Sequence, residues 1–120
     1  MRAEDGKAFL DPGRGLMQQL DEPQEKLVGN TTLGILFTNA KLDKARLCKA
    51  AGMAHDGYAR AIRPVHTSMD GDSIYAVSLG EVPADLDAVG VIGARVMAKA
   101  IVRAVEAAAS AYGLPAARDM

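Results

Sequence analysis

Tryptophan is absent from this chain of 120 residues, and three tyrosines and two phenylalanines are its whole aromatic complement. Aromatic side chains bury the most area each, so their scarcity leaves the core to smaller groups. The hydrophobic fraction of 49% does not make up the shortfall, because 22 of those residues are alanine. A soluble domain of this length buries roughly 65% of its unfolded surface. The sequence therefore predicts a thin core that another chain or segment completes. Charge of either sign is also not in excess: 14 Lys+Arg against 15 Asp+Glu leave a formal charge of −1. That balance argues against a nucleic-acid partner and against a polybasic membrane anchor. The length sets one compact domain as the ceiling.

A single cysteine, Cys48, excludes an intramolecular disulfide framework. With only His55 and His66 beside it, the chain lacks the ligands of a structural zinc site, and no metal or cofactor is expected. On the apolar stripe of its helix, Cys48 reads as a small buried hydrophobe. No apolar run approaches the ~20 residues of a bilayer span. The first twenty residues carry Asp5, Asp11, Pro12 and Arg14 where a signal peptide needs an unbroken apolar centre. A cytoplasmic, reducing location with no membrane partner is the expectation.

Residues 1–30 contain Pro12, Gly13, Gly15, Pro23 and the charged cluster Asp21, Glu22, Glu25 and Lys26, and read as a linker or tail. At Thr31 the character changes. The segment 31–38, TTLGILFT, is β-branched and apolar, the length of a buried strand and too short for a helix. A helix is expected over 43–62, capped by Asp43 and stopped at Arg63-Pro64, with Leu47, Cys48, Ala51, Ala54, Tyr58 and Ile62 on one stripe. A second strand is expected over 73–79. Asp85 then caps a long helix running to Tyr112, ended by Gly113 and Pro115. Its stripes Leu86, Val89, Ile92, Val96 and Met97, Ile101, Val105, Ala108, Tyr112 predict burial on two sides, with Gly90, Gly93 and Ala94 admitting a close neighbour. The order is strand, helix, strand, helix.

Two local features carry potential chemistry. At Gly29-Asn30-Thr31-Thr32 a hydroxyl stands where a polar linker meets a strand. Cleavage of the Asn30–Thr31 bond would give Thr31 both a nucleophilic Oγ and a free α-amine, whose reference pKa of ~7.7–8.0 suits a general base. Thr31 Oγ can itself attack the Asn30 carbonyl, with Gly29 allowing a strained backbone. The plainer alternative is that Thr-Thr starts a strand because β-branched residues suit pleated sheet. The second feature, Asp70-Gly71-Asp72, sets two carboxylates about a tight-turn glycine at the entrance of the second strand. Brought to one site they can divide roles, one ionised and one exchanging a proton. As an isolated motif it is equally an acidic β-turn; a calcium loop fails because Ile74 and Tyr75 stand where a ligand and the turn glycine are needed. Arg60 and Arg63 could hold these carboxylates, and His66 is a turn histidine bonded to backbone or a catalytic base. His55, beside Asp56 in mid-helix, reads as structural or solvated. Arg95, Lys99 and Arg103, spaced at i+4, read as a solvated helix face.

In this order GNTTLGILFTNA at 29–40, MAHDGYARAIRPVHT at 53–67, Asp70 with DGDSIYAVSLG at 71–80, and the Ala-rich helix IGARVMAKAIVRAVEAAA at 92–109 resemble the L-aminopeptidase/D-esterase family. The likeness spans about residues 29–113, and the Asn-Thr junction is most similar to the nylon-oligomer (6-aminohexanoate oligomer) hydrolase branch. The resemblance implies an N-terminal-nucleophile amide hydrolase that cleaves itself into a large N-terminal and a small C-terminal subunit. Thr31 takes the nucleophile position, Asn30-Thr31 the processing site, and Asp70 and Asp72 the supporting pair. Serine-type members of the family have a Ser nucleophile and a Ser/Glu pair instead. The implied fold is α/β, part of an αββα sandwich with two or more strands against two helices, incomplete without the large subunit. Residues 1–30 would be the tail of the large-subunit region and 31–120 the small-subunit portion. The implied partners are that large subunit, a small peptide or aminoalkanoate amide substrate, and further copies in a homo-oligomer. The alternative is a non-catalytic remnant or assembly subunit that needs a separate large chain.

Overall fold

The computed structural model describes residues 31–120, so the expected linker over 1–30, with Gly29 and Asn30, lies outside the described residues. Within them, strand β1 (Leu33–Ala40) is followed by helix α1 (Lys44–Ala61), strand β2 (Ser73–Val82) and helix α2 (Leu86–Ala107). This is the expected order. A short 3-10 turn at Ala117–Asp119 follows α2.

β1 and β2 are parallel neighbours, in register from Leu33↔Ser73 to Thr38↔Ser78 and irregular before Ala40↔Val82. Parallel strands cannot be joined by a hairpin, and α1 is the crossover that returns the chain to the same edge. Both helices start where a carboxylate satisfies a free N–H group. Asp43 Oδ1 accepts from the Arg46 amide at 2.8 Å, and Asp85 Oδ1 from the Ala88 amide at 2.9 Å. α1 ends as the sequence predicts, with Ile62 already extended ahead of Arg63-Pro64.

The helices cover one face of the sheet. Leu36, Ala50 and Ala54 form its centre, flanked by Ile74, Ala76, Leu86 and Val89. The helices also lie close to one another, because the residues at their crossing are small. A Cβ on Gly57 would sit 2.5 Å from the Ala94 carbonyl oxygen, and Gly90, Gly93 and Ala94 are buried as expected. The result is a mixed α/β layer, two helices on a two-stranded parallel sheet, which is part of a domain. No described helix is long and apolar enough to cross a membrane.

Five expectations are corrected. Cys48 is exposed, because the inward stripe of α1 runs through Ala50, Ala54, Gly57 and Tyr58. β1 is buried on one face only, and it starts at Leu33 rather than Thr31. α2 is likewise buried on one side, through Gly90, Gly93, Ala94 and Met97, while Val91, Ile92, Val96, Val102 and Val105 are exposed. The small residues set the contact because only they let two backbones approach. Finally, α2 stops at Ala107 and not at Tyr112. The Ser110 hydroxyl accepts from the Ala116 amide at 2.8 Å and donates to the Asp119 carboxylate. Those local bonds, with an Ala111–Leu114 bridge, compete with further helical turns.

Candidate active site

Parallel pairing brings the N-terminal ends of both strands together, and the candidate residues lie there. Leu33 faces Ser73, which sets Thr32 beside Asp72. Asp72 Oδ1 accepts from the Thr32 amide at 2.9 Å, and the Ser73 amide donates to the Thr32 carbonyl at 3.0 Å. The exposed Thr31 then lies over Gly71. A Cβ on Gly71 would be 2.7 Å from the Thr31 hydroxyl oxygen, so any other residue at 71 would push that hydroxyl away. Thr31 and the turn carrying both aspartates thus meet in space across forty residues of chain.

The two carboxylates have different partners. The Asp70 Oδ2 atom accepts from the Thr67 amide at 2.7 Å and from its hydroxyl at 2.8 Å, and the Asp70 amide donates back to the Thr67 carbonyl at 3.1 Å. Asp70 therefore closes the turn from Thr67. The Asp72 side chain, 7% exposed, places Oδ2 at 3.3 Å from His66 Nδ1 while Oδ1 holds Thr32. The side chain beside Asp72 is thus His66, not Arg60 or Arg63 as the sequence suggested, and the imidazole faces a carboxylate instead of backbone.

Tyr58 was placed in the sequence only as a core residue, yet it supports the floor of this site. Its side chain is fully buried and its hydroxyl lies 3.3 Å from the carbonyl oxygens of both Thr32 and Ser73, so its one proton bridges the residue before β1 and the first residue of β2. Burial, and then the negative charge of Asp72, raise its pKa above the ordinary tyrosine value of 10.0 and keep the hydroxyl a donor. Gly34 makes room for it, since a Cβ there would lie 2.6 Å from the hydroxyl oxygen. The available signal was chemical: a tyrosine on an inward stripe must find a partner for its hydroxyl. His55 is half-buried and completes a ring cluster, edge-on to Tyr58 at 5.2 Å and to His66 at 4.9 Å. Among the described residues no three His, Cys, Asp or Glu side chains converge as a metal-ligand set.

Comparison with known proteins agrees with the motifs. The sequence model of peptidase family S58 matches residues 6–118. An uncharacterized aminopeptidase of Mycobacterium tuberculosis is 39% identical over 106 residues, covering 76% of this chain and 31% of the relative. One from Mycobacterium leprae is 38% identical over 112 residues, or 81% of this chain and 30% of the relative. The 6-aminohexanoate-oligomer endohydrolase of a Kocuria species is 37% identical over 60 residues, which are 50% of this chain and 17% of that enzyme. The chain thus spans under a third of the length of these curated relatives. With the family model matched along nearly its whole length and the nylon-oligomer hydrolases among its relatives, this chain belongs to peptidase family S58.

Proposed function

We propose that residues 31–120 are the nucleophile-bearing portion of a self-processing amide hydrolase, acting on small peptides or aminoalkanoate oligomers. The observation that supports this reading most is the seat of Thr31: its hydroxyl lies against Gly71, the residue that separates Asp70 from Asp72 in sequence, in a chain whose relatives include oligomer endohydrolases. In processing, Thr31 Oγ adds to the Asn30 carbonyl and loses its proton, and the Asn30–Thr31 C–N bond breaks to leave an ester and an amine. Water then hydrolyses the ester, giving the Asn30 carboxylate and a free Thr31 α-amine. In turnover the same oxygen attacks the substrate carbonyl and the α-amine takes its proton. That proton passes to the departing amine, and water releases the acyl group from Oγ.

Asp72 fixes the backbone directly after the nucleophile and, with Asp70, supplies negative charge to hold the Thr31 ammonium. Oxyanion donors and the substrate pocket belong to the large N-terminal subunit, which also brings the sheet of an αββα sandwich. In that domain division, residues 1–30 are its tail, and the location is cytoplasmic. The test is co-expression of the chain with the N-terminal portion of a longer relative, with Thr31 intact or replaced by Ala. The reading requires a product beginning at Thr31, and release of 6-aminohexanoate or amino acids, in the first case only. Either activity persisting in Thr31→Ala refutes it.

A second reading, an assembly subunit without catalysis of its own, is favoured by the open sheet face: Leu33, Ile35, Phe37, Tyr75 and Leu79 are 57 to 85% exposed. An assembled complex that never processes or hydrolyses with Thr31 present would support it.

A further inference from the structure

His66 is held more tightly than a turn residue requires. Its backbone is in the left-handed region at φ 56°, uncommon for a residue with a side chain. Its ring stacks on buried Tyr58 at 6.1 Å with planes 20° apart, and meets His55 edge-on at 4.9 Å. These contacts direct Nδ1 to Asp72 Oδ2, 3.3 Å away, and the other oxygen of the same carboxylate accepts the Thr32 amide. Strain of this kind persists where the surroundings over-determine a position, and such positions gather at functional sites.

We propose that His66 is a positioning residue: its Nδ1–H orients the buried Asp72 carboxylate, which in turn fixes the Thr32 amide and so the seat of the Thr31 hydroxyl over Gly71. Its catalytic meaning rests on the hydrolase reading above, but the link from His66 to Thr32 exists in the unreacted chain and is testable there. Removing that ring nitrogen takes away the contact that holds Asp72 Oδ2 while Oδ1 reaches the Thr32 amide.

The test is amide hydrogen exchange of Thr32 in the full chain, corrected for intrinsic pH dependence. His66→Asn places an amide nitrogen near the Nδ1 position and tolerates φ above zero, while His66→Gly keeps the backbone and removes the donor. The expected result is near-normal Thr32 protection in His66→Asn and a roughly tenfold loss in His66→Gly. Normal protection in His66→Gly would reduce His66 to a turn former and overturn the proposal, as would equal loss in both variants. If the glycine variant does not fold, His66→Asp decides: it tolerates the same backbone but offers Asp72 no donor, so Thr32 protection should fall, and normal protection there overturns the proposal. Thr31→Ala leaves all these readouts in place, so failure of the hydrolase reading and failure of the His66 link are told apart.

Discussion

The two faces of the β1–β2 pair are built from the same strands and have different fates. Gly34, Leu36, Ile74 and Ala76 face the helices, and Leu36 sits at the centre of the small core. Leu33, Ile35, Phe37, Tyr75 and Leu79 alternate with them and are exposed, although their side chains are as apolar. In a sheet with one wet face the outward positions are polar. Apolar residues on both faces belong to a strand covered on both sides, and only one cover is present among the described residues. The scarcity of aromatics is sharpened by this division: Phe37 and Tyr75 are on the open side, while Tyr58 is fully buried on the helical side. One layer is finished, with close helix contacts and capped ends; the other is an exposed apolar surface.

Substitutions should separate the faces by size of effect. The largest is expected at Leu36→Ala, which removes the central large side chain of the helical layer and should cost about 2–5 kcal/mol in urea unfolding. Gly57→Ala comes next, at about 1–3 kcal/mol, since its Cβ would approach the Ala94 carbonyl at 2.5 Å and the Met97 Cβ at 2.8 Å, and the backbone cannot give way cheaply. A tolerated Gly57→Ala would show that the helices are not locked together as described.

Tyr58→Phe keeps the ring and removes the proton that bridges Thr32 and Ser73, for a loss of about 1–2 kcal/mol. It also carries a pH signature. The folded-state pKa is raised above the unfolded value of 10.0, so the folded chain binds the proton more tightly. Its contribution is fully present below about pH 10 and is lost as pH rises through the folded value. Stability measured from pH 8 to 12 should fall at the alkaline end in the wild type and fall less in Tyr58→Phe. Equal alkaline losses would place the responsible group elsewhere.

The fold was legible in the sequence where the deciding forces are local. Asp43 and Asp85 announced both helix starts, Arg63-Pro64 announced one helix end, and the β-branched run 31–38 and the partial alternation over 73–79 announced the strands. What was misread depended on tertiary packing. Cys48 shares a helical stripe with Ala51, but the inward direction is set by Gly57 meeting Ala94, which lies on another helix. The Asp70-Gly71-Asp72 turn was visible as a motif; its contact with Thr31 was not, because it follows from the parallel register of strands separated by α1. His66 beside Asp72, six residues away, was within reach of sequence reasoning, but competing partners such as Arg60 and Arg63 could not be ranked without the turn geometry. Tyr58 was hidden by its own burial, since its hydrophobic ring accounts for the stripe and its hydroxyl for the site.

The smallest effect on stability is expected on the open face, where it is accompanied by a large effect on association. Ile35→Ser with Phe37→Ser alters two side chains that are 57 and 67% exposed and make little of the core. Surface substitutions of this kind usually change stability by about 0.5 kcal/mol or less, apart from a modest loss of strand propensity. Left uncovered, however, a run of apolar side chains across two strands is a surface on which copies of the chain adhere. Sedimentation of the wild type should therefore show association that the double variant reduces. The outer face of α2 is the control, because Val91, Ile92 and Val96 are also exposed but lie on a helix with its own hydrogen bonds satisfied. Ile92→Ser with Val96→Ser should reduce association less. If the helix variant removes association and the strand variant does not, the sheet is not the adhesive face, and its apolar residues lose their standing as the seat of a missing layer.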